Sequence, residues 1–147
     1  MDIKLYTIGF GKKSAEEFFT LLKKHKIERL IDVRESNSNI YAGFTIKKNL
    51  PFFLNNILEV EYLELKLFAP TKELRVEYHS SNKSDWNKYR EGYIKLLDSR
   101  KITDTVDVSI FHNAVLLCSE PTADKCHRRL AAEYLKKIDD KIQITHL

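Results

Sequence analysis

The sequence predicts an α/β protein with a mostly parallel sheet of about five strands and helices on both faces. Short apolar runs alternate with segments of helical period along the chain. Strands in this alternation need crossover connections, which favour parallel neighbours. The 147 residues are 43% hydrophobic and include 4 glycines and 3 prolines, which fits one compact domain over the whole chain.

The first part of the chain reads as strand, helix and strand. Residues 3–8 form an apolar run that stops at Gly9, which predicts a strand and a tight turn. Ser14 and Glu17 have the spacing of a capping box and predict the start of an amphipathic helix. Residues 28–33 repeat the strand signal, so a second strand is expected there.

The middle of the chain supplies further elements. Residues 35–43 are polar and lack a helical period, which predicts a loop long enough to act as a lid. Residues 47–58 have apolar positions on one helical face, whereas residues 61–67 alternate as a strand does. A further helix is expected over residues 86–97, capped by Ser84 or Asp85.

The last part predicts a buried strand over residues 115–117, a helix capped by Thr122 and a strand over residues 142–146. The apolar stripe of this helix would place His127 one turn inside it, facing the sheet. Arg128 would lie near the edge of the stripe.

Several chemically useful residues follow predicted strands. Asp32 and Arg34 follow the second strand, Gly9 ends the first, and Cys118 ends the strand before the last helix. Ligands of parallel α/β sheets bind beyond the carboxyl ends of the strands. We therefore expect these residues and the segment through Arg128 to share one crevice.

The residue types at this crevice suggest covalent chemistry on an anion. Cys118 or Cys126 could be a nucleophilic thiolate, and His127 or Glu120 could move protons. The alternative is that both thiols and the histidine are packing residues of the core.

Two arginines at the same crevice are expected to hold the anion. The guanidinium groups of Arg34 and Arg128 suit phosphate or carboxylate. Asp32 would orient Arg34, or form a purely structural ion pair with it. The expected partner is an anionic small molecule or nucleotide.

Motifs across the chain resemble the family called domain of unknown function 488. They are residues 6–9 (Tyr-Thr-Ile-Gly), residues 32–34 (Asp-Val-Arg), residues 117–120 (Leu-Cys-Ser-Glu) and residues 126–128 (Cys-His-Arg). The chain departs from the family at Phe10, where a histidine is common. The resemblance implies an α/β fold and a site, without a reaction. It carries over Asp32, Arg34, Cys118, Glu120, Cys126, His127 and Arg128.

Other classes of function have weaker support in the sequence. The net charge of +4 comes from dispersed residues, so a non-catalytic nucleotide or nucleic-acid binding module is an alternative without a dense basic run. Pro121 and Glu120 disfavour the anion-wrapping loop of rhodanese-like sulfur transfer. The sequence lacks a paired Cys-x-x-Cys motif, so it does not predict a metal or redox site, and no cofactor is expected.

With 2 cysteines, no signal segment and no long apolar run, a cytoplasmic protein is expected, without membrane contact.

Overall fold

A computed structural model describes residues 2–37, 40–82 and 84–147, with the backbone alone at residues 40 and 41. Within these residues the strands form one parallel sheet in the order β3-β2-β4-β1-β5. The predicted α/β fold class is confirmed. The strands are Ile3–Gly9 (β1), Arg29–Asp32 (β2), Glu61–Glu64 (β3), Ala114–Cys118 (β4) and Ile142–His146 (β5).

Helices connect successive strands, as the parallel sheet requires. The predicted cap of the first helix is confirmed, since Ser14 Oγ accepts a hydrogen bond from the amide of Glu17. Asp85 caps the helix that begins at Trp86 in the same way, by accepting from the amide of Lys88. The helices are Ala15–Lys24 (α1), Leu50–Phe53 (α2), which continues as a π-helical turn over Leu54–Leu58, Lys72–Ser80 (α3), Trp86–Ser99 (α4), Ile102–Thr105 (α5) and His127–Ile138 (α6), with 3₁₀ turns at Ile40–Thr45, Lys66–Phe68 and Val108–Phe111.

The sheet separates two apolar layers. On one face, α1 and α2 contribute Phe18, Leu22 and Leu50 to a buried cluster. On the other face, α4 and α6 pack through residues such as Tyr93 and Leu130. Residues of β4 alternate between the layers, because successive side chains of a strand point to opposite faces.

The chain leaves neighbouring strands on opposite faces of the sheet. β1 and β2 lead to α1 and α2 on one face, whereas β4, which lies between them, leads to α6 on the other. Connections that diverge in this way open a crevice at the carboxyl ends of the strands. The fold therefore places its natural binding crevice at Cys118, the last residue of β4.

The prediction that Thr122 caps the last helix is wrong. α6 begins at His127, and its N-cap is Cys126 in an extended conformation with φ of −134° and ψ of 141°. Arginine side chains donate hydrogen bonds to backbone carbonyls of the preceding turn. Arg128 donates to the carbonyl of Glu120 at 2.6 Å, and Arg129 donates to the carbonyl of Asp124 at 2.9 Å. His127 is therefore the first residue of the helix and does not lie one turn inside it.

Other boundaries also differ from the predictions. Residues 38 and 39 of the predicted loop lie outside the described residues, and its last part forms the 3₁₀ turn Ile40–Thr45. The helix predicted from residue 47 begins at Leu50. The third strand ends at Glu64, where the chain enters another 3₁₀ turn and Lys66 Nζ binds the carbonyl of Arg34 at 3.2 Å. β3 therefore ends opposite Asp32, the last residue of β2, which is its neighbour in the sheet.

Candidate active site

Cys118 and His127 form a close pair at the carboxyl end of β4. The Sγ atom of Cys118 lies 3.3 Å from Nδ1 of His127. Cys118 is 4% exposed and His127 is 7% exposed. Since β4 pairs with β1 and β2 on its two sides, Cys118 is held by the centre of the sheet.

The second ring nitrogen fixes the orientation of His127. Nε2 lies 2.7 Å from the carbonyl oxygen of Val33, which can only accept a hydrogen bond. Nε2 therefore carries a proton, and Nδ1 faces the sulfur of Cys118. The ring of Tyr93 also packs edge-on against the imidazole, with centroids 5.7 Å apart. This arrangement is a thiol beside an oriented acid or base.

The surroundings of Cys118 favour its thiolate. A hydrogen bond from the Cys126 thiol lowers the pKa of the Cys118 thiol well below its usual value, assisted by His127 and the amide of Ser119 against the effect of burial. Burial alone would lower the pKa of His127, but the neighbouring Cys118 and the bond to Val33 raise it overall. The positive end of α6 also favours the Cys118 thiolate, whereas it opposes the positive charge of His127, the first residue of that helix. A thiolate and an imidazolium therefore stabilise each other at this site.

Cys126 has the opposite character. Burial raises the pKa of the Cys126 thiol well above its usual value, and its hydrogen bond to Cys118 acts in the same direction. The side chain is 2% exposed and makes no cap hydrogen bond to the helix. Of the two predicted nucleophiles, Cys118 thus has the surroundings that favour a thiolate, and Cys126 has those that favour a thiol.

Arg34 and Asp32 form a buried ion pair beside the cysteine. Nε and Nη2 of Arg34 each donate to a different carboxylate oxygen of Asp32 at 2.9 Å. The Tyr62 hydroxyl also donates to Asp32 at 2.6 Å, and Arg34 Nη2 donates to the carbonyl of Thr45 at 2.7 Å. Arg34 is 3% exposed and Asp32 is fully buried. Asp32 therefore orients the guanidinium of Arg34.

One nitrogen of Arg34 remains available. Among the described residues, no hydrogen-bond partner approaches the buried Nη1 atom. Arg34 also lines the pocket that contains Cys118, and its guanidinium carbon lies 5.7 Å from the centre of the Phe10 ring. A buried donor without a partner is costly, so an acceptor atom placed beside Nη1 would stabilise this arginine.

Arg128 and Gly9 lie outside the pocket and contact the turn that follows Cys118. Arg128 is fully buried and does not line the pocket, since its Nε and Nη1 atoms donate to Thr7 Oγ1 and to the carbonyl of Glu120. A Cβ atom at Gly9 would lie 1.6 Å from that same carbonyl oxygen. The turn after Cys118 can therefore approach β1 only because residue 9 has no side chain.

The pocket at the ends of the strands, called here the strand-edge pocket, has a volume of about 330 Å³. It brings together Arg34, Cys118, Cys126, His127 and Glu120 from the predicted set. Asp32, Arg128 and Gly9 lie outside its lining. Sequence reasoning missed most of the other residues that line the pocket, because they lie in loops or on α3 and α4, and no local pattern shows which of these positions face the pocket. Those additional lining residues include Phe10, Glu35, Arg75, Tyr78, His79, Tyr89, Ser119 and Lys125.

Cys118, Cys126 and His127 also form a cluster of donors that could hold a thiophilic metal ion. Their sulfur and nitrogen atoms lie within 4.8 Å of one another. Adjacent cysteine and histidine side chains would diverge on a helix, but Cys126 precedes α6 in an extended conformation and its side chain converges with the others. The divergence expected of adjacent helical residues therefore does not separate these donors.

Fold and site together define an α/β protein with a cysteine–histidine centre at the carboxyl edge of a parallel sheet. The family model described as Domain of unknown function DUF488 matches residues 14–135, and the chain belongs to that family. This match confirms the resemblance seen in the sequence. No curated protein and no solved structure shows a significant match to the chain. Every helix in the described part of the chain is too short or too polar to span a membrane.

Proposed function

We propose that this protein is an enzyme that acts on an anionic substrate, nucleotide-like or phosphorylated, with Cys118 as its nucleophile. The observation that carries the proposal is the contact of 3.3 Å between Cys118 Sγ and Nδ1 of His127. The opposite nitrogen of the same ring is anchored to the carbonyl of Val33 at 2.7 Å. A nucleophile, a base and a group that orients the base form the usual arrangement for covalent catalysis.

The chemistry follows from the two protonation states. The Cys118 thiolate attacks an electrophilic carbonyl or phosphoryl centre, and the leaving group takes the proton from Nδ1 of His127. Water or an acceptor then releases the product from the sulfur, with neutral His127 as the base. A hydrolase uses water for this second step and a transferase uses another nucleophile. Glu120, which lines the same pocket, is a second candidate for proton transfer.

Arg34 supports the anionic character of the substrate. Its buried Nη1 atom has no hydrogen-bond partner within the described residues, and a phosphate or carboxylate oxygen would supply one. Lys125 and Arg75 add positive charge to the pocket lining, although Arg75 is paired with Glu35 at 2.8 Å. We therefore assign the anionic group of the substrate to Arg34.

Aromatic side chains support a nucleotide-like substrate. Phe10, Tyr78 and Tyr89 line the same pocket as the cysteine and the arginine. Aromatic rings provide apolar surface on which a planar base can stack.

Two free thiols at the site also support a reducing compartment such as the cytoplasm.

The proposal is tested with two alkylating agents that differ in charge. The measured quantity is the rate at which Cys118 reacts with anionic iodoacetate divided by its rate with neutral iodoacetamide. This rate ratio should be higher in the wild type than in the Arg34→Lys variant. Loss of a charge-assisted hydrogen bond of about 1.5 kcal/mol predicts a decrease of about tenfold in the rate ratio. The control is Arg129→Lys, because Arg129 is 40% exposed and pairs with Glu133. Mass spectrometry assigns the alkylated residue.

A second measurement covers the case in which Arg34→Lys does not fold. Inorganic phosphate should slow the reaction of wild-type Cys118 with iodoacetamide and leave the unfolded protein unaffected. An unchanged rate ratio in a folded Arg34→Lys variant would remove Arg34 from anion binding. Phosphate or nucleotide binding that survives full alkylation of Cys118 would favour the non-catalytic binding module instead.

A further inference from the structure

The strand-edge pocket contains a second thiol next to the proposed nucleophile. Cys118 and Cys126 are both free, and both line the pocket. Their sulfur atoms and Nδ1 or Nε2 of His127 lie within 4.8 Å of one another. The nucleophilic mechanism uses only Cys118, so the placement of Cys126 needs a separate explanation.

We propose that Cys118 and Cys126 are a peroxidatic and a resolving cysteine, which reduce a hydroperoxide and form a disulfide that reversibly blocks the site. This inference rests on the proposed function in one respect, the thiolate state of Cys118. The anionic substrate and Arg34 have no part in it. A hydroperoxide is small enough to enter a pocket of about 330 Å³.

The reaction balances with the groups at the site. The Cys118 thiolate attacks the peroxide oxygen that bears hydrogen, and the O–O bond breaks. The leaving alkoxide, or hydroxide in the case of hydrogen peroxide, takes the proton from His127 Nδ1. Cys118 is then a sulfenic acid, oxidised by two electrons, and the peroxide has become an alcohol. The Cys126 sulfur attacks the Cys118 sulfur and displaces the hydroxyl group. That hydroxyl leaves as water with the Cys126 proton.

The environments of the two sulfurs suit these roles. Nδ1 of His127 lies 3.3 Å from the Cys118 sulfur, a contact that favours the thiolate that a peroxide needs. Cys126 is held as a thiol by burial, so it can supply the proton of the second step. Two different states of neighbouring cysteines are what the sequence of attack and resolution requires.

The two cysteines lie in different kinds of backbone, one in a central strand and the other at the end of an irregular turn. Cys118 is fixed at the end of β4, which has β1 and β2 on either side. Cys126 lies between that strand and α6, at the end of a turn over residues 119–126 that contains neither helix nor strand. A disulfide requires the sulfurs to approach to about 2.05 Å. Adjustment of this turn can bring Cys126 toward Cys118 while the sheet stays intact.

The test uses the reduced, full-length protein after metal analysis, treated separately with hydrogen peroxide and with cumene hydroperoxide. The wild type should lose two hydrogen atoms in mass, with Cys118 and Cys126 joined in one peptide pair, and a dithiol should reverse the change. Cys126→Ser should stop at a Cys118 sulfenic acid that dimedone traps. Serine is a favoured N-cap residue, so this variant keeps the start of α6. Cys118→Ser should not react.

Three results would overturn the inference. The first is oxidation of wild-type Cys118 to a sulfinic acid without a link to Cys126, and the second is inert thiols in metal-free protein. The third is a stoichiometric metal ion that holds both sulfurs in the reduced protein. If Cys118 is alkylated as a thiolate but no disulfide forms, the proposed function stands and this inference fails. If the disulfide forms but Arg34→Lys leaves the alkylation ratio unchanged, the reverse holds.

Discussion

At the scale of single residues, His127 determines the chemistry available to Cys118. Its Nε2 proton is committed to the carbonyl of Val33 at 2.7 Å, so its Nδ1 atom can only serve the sulfur. When the imidazole is neutral, Nδ1 accepts the thiol proton. When it is protonated, Nδ1 donates to the thiolate. The thiolate–imidazolium pair is therefore favoured at pH values above the lowered pKa of Cys118 and below the raised pKa of His127.

Replacing His127 should weaken the activation of Cys118. His127→Asn removes the positive charge beside the sulfur, so the pKa of Cys118 should rise toward the ordinary thiol value of about 8.5. The neighbouring Cys126 thiol also lowers the pKa of Cys118, so the rise should be incomplete. The pH dependence of thiolate absorbance, with Cys126 replaced by serine in a parallel set, measures the effect. His112→Asn, at the opposite end of the sheet, should leave the curve unchanged.

Gly9 should be intolerant of even a methyl group. In Gly9→Ala the new Cβ would meet the carbonyl oxygen of Glu120 at 1.6 Å and Nη1 of Arg128 at 2.6 Å. The turn after Cys118 must then move, which we expect to cost about 1–3 kcal/mol in the free energy of unfolding. Gly43→Ala is the matched control, because nothing lies within 4 Å of its added Cβ. Equal urea unfolding curves for the two variants would contradict this assignment.

At the scale of elements, the ends of β2 and β4 hold the two halves of the site. β2 ends at Asp32, which forms a buried ion pair with Arg34 two residues later, and β4 ends at Cys118. Periodicity and capping predicted β1, α1 and β4 because local residue patterns determine them. The start of α6 could not be predicted in this way, since arginine contacts to Glu120 and Asp124 replace the expected helical turn.

Site residues show the same division between local and tertiary information. The grouping of Cys118, His127 and Arg34 follows from their positions after strands. The carbonyl of Val33 is a backbone acceptor, and nothing in the residue pattern marks it. Arg75 lies on a helix whose register toward the pocket depends on how α3 packs. Contacts that a fold creates between distant segments have no counterpart in local patterns.

Asp32 should contribute strongly to stability at neutral pH. Asp32→Asn leaves the charge of Arg34 buried without its partner, which we expect to cost about 3–5 kcal/mol in the free energy of unfolding. Glu61→Gln is the control, because Glu61 and Arg29 form an ion pair with side chains 58% and 27% exposed. An exposed pair of this kind is worth about 0–1 kcal/mol. Urea unfolding of both variants measures the difference.

The pH dependence of this difference follows from the direction of the pKa shift. Burial would raise the pKa of Asp32, but the hydrogen bonds from Arg34 and Tyr62 lower it overall. A lowered pKa in the folded state gives stability above the ordinary carboxyl pKa of about 3.9, which is lost as the pH falls through the lowered value. The difference in the free energy of unfolding between wild type and Asp32→Asn should therefore become smaller in acid. A gap independent of pH would contradict the ionised state of Asp32.

At the scale of the whole molecule, the topology decides where the candidate site lies. The central strand β4 sends the chain to one face of the sheet, while its neighbours β1 and β2 send it to the other. The resulting crevice receives the cysteine from β4, the arginine that follows β2 and the histidine that begins α6. Three separate parts of the chain thus meet in one pocket because of the strand order.

The most direct measurement is the rate of iodoacetamide reaction at Cys118 and Cys126 as a function of pH, in reduced, metal-free protein with residues assigned by mass spectrometry. We predict that Cys118 reacts with a midpoint well below the ordinary thiol pKa of about 8.5, because its environment favours the thiolate. Cys126 should stay unreactive until higher pH. A midpoint for Cys118 at or above the ordinary value, or faster reaction at Cys126, would contradict Cys118 as the nucleophile.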